Sequence, residues 1–562
     1  MTDQSKVGNS HEAATAASLR AGALERLAGE SFDLLVIGGG ITGAGVARDA
    51  ALRGLRVALV EQADFASGTS SRSSRLVHGG IRYLEHGKIG LVFESSRERR
   101  TLLRIAPHLV RPMPFVWPLY FGARITPWKL AIALTAYDAL ALFRNVARHS
   151  RLDARGVRAL EPKLSTKRLA GGARYWDAAT DDARLTLSTI LSAQRAGAVI
   201  VNHARVESLL HVQSRIAGAS VIDVESGRPV SVTACVVVNA TGPWSDRVEG
   251  MAQPSAVAGV RGSKGVHVSV PRSRVGNVAA LTLIAPQDGR VMFVLPAGGF
   301  TIIGTTDTYD AVSPDEVRAN TDDVAYLLEA ANHYFPDAQL TTSDVVSAWA
   351  GLRPLAVTGS ATSDAGRASR EHTITETTPG LVRVTGGKLT TYRSMSSEVV
   401  DRVQLVLGVA VTRSRTAEEP LVGGDVGDIA RAIVEATSLS GDGVVAERLV
   451  HAYGSAWREV WERAASNAAL RTRVAPERPY LIAELAHAVE REMACTLGDL
   501  LIRRTPVAFE TPDHGRGAAR GVAPLVAEWM GWDAAATISA IDAYDREVTG
   551  MFSIGEATAR LP

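Results

Sequence analysis

The segment from Phe32 to Glu61 constrains the fold more than any other part of the chain. It opens with FDLLVIG, Phe32 to Gly38, a continuous apolar run of the kind a strand buried on both faces requires. Gly38, Gly39 and Gly40 follow at once, and Gly43 completes the spacing G-x-G-x-x-G. AGVARDAALRG then has the helical spacing of Val46, Ala50 and Ala51, with Gly54 placed to end the helix. A second strand, RVALVE, stops at Glu61, eighteen residues after Gly43. Strand, glycine turn, helix and strand make a βαβ unit, so this region should hold a parallel sheet with helices packed on it. The glycines permit a tight turn and close approach of a pyrophosphate to the helix N-terminus. Glu61 can accept hydrogen bonds from ribose hydroxyls, so a dinucleotide is expected here.

Two later turns repeat the theme. VVVNATGPWSD places a strand at Val236 to Val238 ahead of Ala240, Thr241 and Gly242. Gly386 and Gly387 precede Lys388, Leu389 and Thr390 and a further helix. Three separate segments meeting one ligand fit a buried flavin better than an exchangeable nicotinamide. From Lys264 to Asp307 the runs KGVHVSV, RVMFVLP and FTIIGTTD are β-rich, with a turn at Gly298 and Gly299, which predicts an antiparallel sheet over the cofactor domain. After Arg393 the periodicity is helical, and the last helix, AAATISAIDAYDREV, has Asp533 placed as its cap. The expected divisions are a disordered Ala-rich tail over 1–30, an interwoven cofactor and substrate body over 31–410, a Pro/Gly linker over 411–427 and a helical domain over 428–562.

Composition narrows the partners. With 61 basic against 59 acidic residues the chain has no basic excess for nucleic acid, and none is expected as a partner. Arg97, Arg99 and Arg100 beside Glu94 and Glu98 read as a solvated helix face. Two cysteines, Cys235 and Cys495, cannot make a disulfide framework and suit a reducing compartment. His78 and His86 have no partner at metal-ligand spacing, so no metal is expected. No signal peptide is visible, and the apolar stretch near Trp128 to Phe143 carries Asp138 and is too short to span a membrane. Surface attachment stays open, with the basic, aromatic-rich Arg111 to Lys129 as its best candidate; a core-packing insertion or substrate-cap loop is the alternative.

Several motifs together identify a resemblance. TSSRSSRLVHGGIRYLEHG (Thr69 to Gly87), DDARL, NATGPW, KGVHV, IIGTTD, GLRPL and GGKLTTYR stand in order between Phe32 and Arg393, and LIRRT (Leu501 to Thr505) extends the likeness more weakly. The chain resembles the FAD-dependent, quinone-linked glycerol-3-phosphate dehydrogenases of the aerobic type. That resemblance implies an α/β fold: a Rossmann-like FAD body of the glutathione-reductase and amino-acid-oxidase build, an antiparallel substrate sheet and an all-α C-terminal domain. It implies FAD as cofactor, oxidation of sn-glycerol 3-phosphate to dihydroxyacetone phosphate, quinone as electron acceptor and a cytoplasmic protein at the inner face of the cell membrane. An oxidase that returns electrons to O₂, another amino-acid-oxidase-like flavoenzyme and a flavin-bearing sensor are the alternatives, and homodimer formation is left open.

The same resemblance assigns residues. Arg82, Tyr83, Arg370 and Lys388 would bind substrate, Arg370 and Lys388 at the phosphate, while His267 and Arg353 would be catalytic. Independently, Arg82, Arg353, Arg370 and Lys388 lie in or beside turn segments, where cations suit an anionic ligand. His267 could take the C2 hydroxyl proton with its near-neutral pKa, or Arg353 could stabilise the developing alkoxide; sequence does not choose. The expected cofactor contacts are Gly38, Gly39, Gly40, Gly43, Glu61, Thr69, Ser70, Ser71, Gly79, Val206, Ala240, Gly242, Asp307, Gly387, Leu389 and Thr390.

Overall fold

The computed structural model describes residues 16–81, 87–255, 259–309, 313–357 and 371–556. The βαβ unit forms as expected. Strand Ser31–Ile37 lies parallel to Val57–Val60 on one side and to Pro229–Asn239 on the other. Leu381–Thr385 and Val199–Val201 extend the parallel order at the two flanks. Helices Ile41–Leu52, Asp182–Arg195 and Tyr392–Val406 cover one face with apolar residues such as Val46, Ile190 and Val399. The other face carries the antiparallel meander Ala204–Val212, Arg215–Asp223 and Pro229–Asn239.

The tail expectation needs correcting for residues 16–30; residues 1–15 lie outside the described residues. Ala16–Gly29 is a helix whose Leu24 and Leu27 are buried against Phe32, Val199 and Val230, so it closes the meander face instead of trailing in solvent. Arg20 pairs with Asp223 at 2.5 Å and fixes this helix to the meander.

Among the described residues the second sheet contains ten strands. Val291–Ala297 and Phe300–Gly304 form the expected antiparallel hairpin, and Val260–Pro271 pairs antiparallel with Phe300–Gly304 and Ser347–Ala356. Arg111–Tyr120 also belongs here, paired with Leu169–Ala179, and Phe115 to Leu119 are buried. The first half of the candidate membrane stretch is therefore sheet core. Its second half, Phe121 onward, leads into helix Pro127–Leu140 at the surface. No helix among the described residues is long and apolar enough to cross a membrane.

No regular element lies between helices Tyr392–Val406 and Ile429–Ser440. This connection is strapped to the body: Arg48 donates to the carbonyls of Thr416 (3.3 Å) and Glu419 (2.7 Å), and Leu421 is buried. The C-terminal helices follow, Asp533 capping Ala534–Phe552 by accepting from the Ala536 N–H at 2.7 Å. The Arg/Glu helix, Ile89–Ile105, also departs from expectation. Glu98 is buried on Arg393 at 2.6 Å and Arg99 is buried on Asp177, so only part of that face is solvated.

Candidate active site

The glycine turn, the ends of the parallel strands and one face of the second sheet enclose a cavity of about 500 Å³. That size suits an organic ligand. Helix Ile41–Leu52 starts at this cavity with Gly40, which offers no capping side chain, as its N-cap. Ser70 accepts from the Ile41 N–H at 3.0 Å, and Thr69 and Ser70 line the same wall. Gly38 has φ +109°, and a Cβ there would stand 2.8 Å from the Ala240 carbonyl oxygen. The first and second turns therefore touch only because neither side carries bulk. Gly43 faces inward instead: a Cβ would meet the Gly38 oxygen at 1.9 Å, so this glycine allows the helix to pack on the strand.

Glu61 lies at the cavity wall where its strand ends. It accepts from the Gly39 N–H at 2.6 Å and the Ala63 N–H at 2.9 Å. Burial raises its carboxyl pKa, and those two N–H groups oppose the rise. Val206, Ala240, Gly242, Gly387, Leu389 and Thr390 also line the cavity, as expected. Gly39, Gly43, Ser71, Gly79 and Asp307 do not. Gly39 packs on Phe65 and Glu61, and Ser71 is buried in the short helix Thr69–Ser71. Gly79 sits against Tyr137 with its N–H on Asp177 at 2.9 Å, leaving Gly80 to face the cavity. Asp307 stands behind the wall and acts on Arg353.

The opposite end is built on two antiparallel neighbours. Alternation in Val260–Pro271 turns Gly265 and His267 toward the cavity, whereas Lys264 faces the other way and pairs with Asp323 at 3.0 Å. Lys264 is thus no part of the His267 environment. Across the register, Arg353 reaches over Gly265, where a Cβ would lie 2.3 Å from its guanidinium. Its Nη1 donates to Asp307 at 3.1 Å and its Nη2 to Thr305 Oγ1 at 3.1 Å, so the fork is fixed from behind. Ser263 donates to Asp307 at 2.5 Å and steadies the carboxylate. The Gly386 N–H donates to the Pro354 carbonyl at 3.0 Å, which brings Lys388 to the same wall as Arg353.

His267 is buried, stacked on Trp349 at 5.5 Å between ring centroids, with Nε2 2.8 Å from Ser74 Oγ. Among the described residues its Nδ1 has no partner. Burial, then the charges of Arg353 and Arg75, push the imidazole down to about 3. The near-neutral value typical of histidine does not hold here, and burial favours the uncharged ring. Arg82, Tyr83 and Arg370 lie outside the described residues. An aromatic wall went unread in the sequence: Phe115 stacks on Tyr175 at 5.2 Å and meets Phe293 edge-on at 5.9 Å. Arg72 and Ser74 line the cavity too, and both sit in the motif around Thr69, the one signal that could have found them.

The donor set fits FAD. Glycine cradles that a Cβ would fill, a helix N-terminus whose N-cap Gly40 carries no side chain and an acidic strand end define a dinucleotide-binding protein of two sheets. The family described as FAD dependent oxidoreductase matches residues 33–393, and that described as C-terminal domain of alpha-glycerophosphate oxidase matches 414–537. Glycerol-3-phosphate dehydrogenase 2 of Mycobacterium tuberculosis (strain ATCC 25618 / H37Rv) is 40% identical over 97% of this chain and 92% of its own. Aerobic glycerol-3-phosphate dehydrogenase of Bacillus subtilis (strain 168) is 34% identical over 90% of this chain and 92% of its own. The crystal structure of the glycerol-3-phosphate dehydrogenase from Bacillus halodurans complexed with FAD matches with TM-score 0.79 at 31% identity, covering 96% of this chain and 98% of that one. The chain belongs to the FAD-dependent glycerol-3-phosphate dehydrogenase family.

Proposed function

We propose that this protein oxidises sn-glycerol 3-phosphate at C2 to dihydroxyacetone phosphate, with FAD as hydride acceptor and a membrane quinone as the final acceptor. The observation that carries this reading is the convergence of His267, Arg353 and Lys388 on the cavity that also holds the glycine cradle. The relatives named above support the substrate.

When bound, FAD supplies the two-electron acceptor for the C2 hydrogen. Lys388 binds the phosphate as a point charge, joined by Arg370, with Arg82 and Tyr83 as further substrate contacts. Arg353, fixed by Asp307 and Thr305, stabilises the negative charge that grows on the C2 oxygen without having to reorganise. His267 takes the hydroxyl proton. Its imidazole is uncharged and so able to accept. The arriving phosphate offsets the repulsion from Arg353 and Arg75 and raises its proton affinity. Phe115, Tyr175 and Phe293 keep water from the reacting carbon.

Around helix Pro127–Leu140, Phe121, Trp128, Ile132, Leu142 and Phe143 are each more than half exposed, with Lys129 and Arg148 lying over the Trp128 and Phe143 rings. Apolar side chains ringed by cations suit an anionic lipid surface, where quinone is found, and we place membrane attachment there. Turnover with a short-chain quinone, compared with peroxide release in air, tests the acceptor. Quinone reduction with little peroxide is expected; rapid peroxide release without quinone would make the protein an oxidase.

A further inference from the structure

LIRRT has no part in the chemistry above, yet it reaches the cofactor site from behind. Residues Asp499–Arg504 form a π-helical turn, extended by the Thr505 N–H donating to the Leu500 carbonyl at 2.9 Å. π-turns are rare and recur at functional positions because they re-aim side chains. Here the turn sends two successive arginines to one carboxylate. Arg503 Nε donates to Asp64 at 2.6 Å, and Arg504 donates to both Asp64 oxygens at 2.5 and 3.0 Å. Asn202 adds a fourth bond at 3.1 Å, and Asp64 has no exposed surface.

Asp64 belongs to the turn that follows Glu61. The opposite side of this turn holds the glycine loop: Glu61 accepts from Gly39, Ala66 donates to the Gly39 carbonyl at 3.1 Å, and Phe65 packs where a Gly39 side chain would be. A second tie is parallel to the first. His203 Nε2 lies 3.0 Å from Asp499, the His203 N–H donates to the Ala63 carbonyl at 2.7 Å, and Ala204 and Val206 continue into the cavity wall. His203, Cys495 and Asp499 stand at metal-ligand spacing, but Asp499 also accepts from the Cys495 and Thr496 N–H groups and from Arg503, and these bonds account for the cluster.

We infer that the C-terminal helical domain is a positioning element for the adenosine half of FAD, acting through the Arg503–Arg504 clamp on Asp64. Glu61 and Val206 line the cavity on either side of the turn and strand that this domain buttresses, through Asp64 on one side and His203 on the other. A buried network of balanced charge is costly to break because each freed group stays buried and unpaired. Loss of the clamp therefore frees the Glu61 turn while leaving His267, Arg353 and Lys388 in place.

The test uses the FAD-loaded protein. Asp64→Asn and Arg504→Lys are compared with Leu449→Ala, which cuts into the core of the helical domain away from the clamp. The readout is the rate of FAD release on dilution, followed by flavin fluorescence. Both clamp variants should release FAD at least tenfold faster with the KM for sn-glycerol 3-phosphate within twofold. Leu449→Ala, at an equal drop in Tm, should release it at the parent rate. Release rates that stay at the parent value, or that follow Tm in all three variants, overturn the inference. Should the clamp variants not fold, hydrogen exchange on the parent protein decides: FAD binding must slow exchange at 499–504 together with 61–67, and unchanged exchange at 499–504 refutes the clamp. The inference rests on FAD occupying this cavity; a parent protein that never takes up FAD fails that reading, whereas a loaded protein indifferent to Asp64 fails this one.

Discussion

Gly265→Ala should inactivate the protein without unfolding it. The strand carrying Gly265 is buried, and a Cβ there would stand 2.3 Å from Arg353 Nη2 and 2.6 Å from its Cζ. Ordinary contact begins near 3.4 Å, so the guanidinium must retreat by 3.4 − 2.3 = 1.1 Å. The obstructing atoms are the far end of a flexible side chain, so the displacement is met by rotating Arg353 and not by parting the Val260–Pro271 and Ser347–Ala356 strands. That rotation breaks the bonds to Asp307 and Thr305 that fix the fork. A misplacement of about 1 Å in a positioned catalytic group costs roughly a hundredfold in rate, or about 2.7 kcal/mol of transition-state stabilisation. The assay is kcat/KM for sn-glycerol 3-phosphate, with FAD content and Tm measured alongside. The expected result is a fall of about two orders of magnitude, full FAD loading and a Tm near the parent value. Activity within twofold of parent would refute the role of Arg353; a collapse of Tm would refute the claim that its tip absorbs the clash.

Three further outcomes follow from the same geometry. Lys388→Met should raise the KM for sn-glycerol 3-phosphate by about 10- to 100-fold, the loss of a charge-assisted bond worth ~1.5–3 kcal/mol, and leave FAD release unchanged. Stability should fall at both ends of the pH range. His203 is raised to about 9, burial opposing but the charge and hydrogen bond of Asp499 with the charges of Asp64 and Glu225 together outweighing it, so its contribution is complete below the unfolded value of 6.5 and is lost as pH rises through 9. His108 and His267, held near 3, and His451, held near 4, are each pushed down first by burial, so the unfolded chain gains protons first and stability declines as pH drops below 6.5. Urea midpoints from pH 4 to 10 check both limbs, and His203→Gln should flatten the alkaline one. Replacing Trp128 and Phe143 together by serine should abolish co-sedimentation with anionic vesicles while sparing activity with a soluble acceptor; binding that survives would move the docking face elsewhere.

The parts of this molecule that sequence predicts best are local. The glycine spacing, the apolar strand before it and the acidic strand end after it lie within thirty residues, and each has one physical reading. Lys264 shows where proximity in sequence misleads: three residues from His267 in a strand places it on the opposite face, against Asp323. Glu98 and Arg99 look like surface charges because their partners, Arg393 and Asp177, are 295 and 78 residues away. The aromatic wall stayed hidden for the same reason, since Phe115, Tyr175 and Phe293 come from three strands whose alternation resembles that of any half-buried sheet. Helix Ala16–Gly29 is rich in alanine but carries few large apolar side chains, and Leu24 and Leu27 find their partners only once the meander has formed. The GTTD motif points Asp307 at the cofactor, whereas in the structure its carboxylate holds Arg353.

The central claim is that FAD and a phosphorylated three-carbon alcohol meet in this cavity. Anaerobic mixing of the FAD-loaded protein with sn-glycerol 3-phosphate, followed by flavin absorbance, tests it most directly. Stoichiometric bleaching by sn-glycerol 3-phosphate, with glycerol inert at equal concentration and Lys388→Met bleaching only at much higher substrate, is the predicted result. A loaded protein that stays oxidised with sn-glycerol 3-phosphate, or one that glycerol bleaches equally well, would contradict the account.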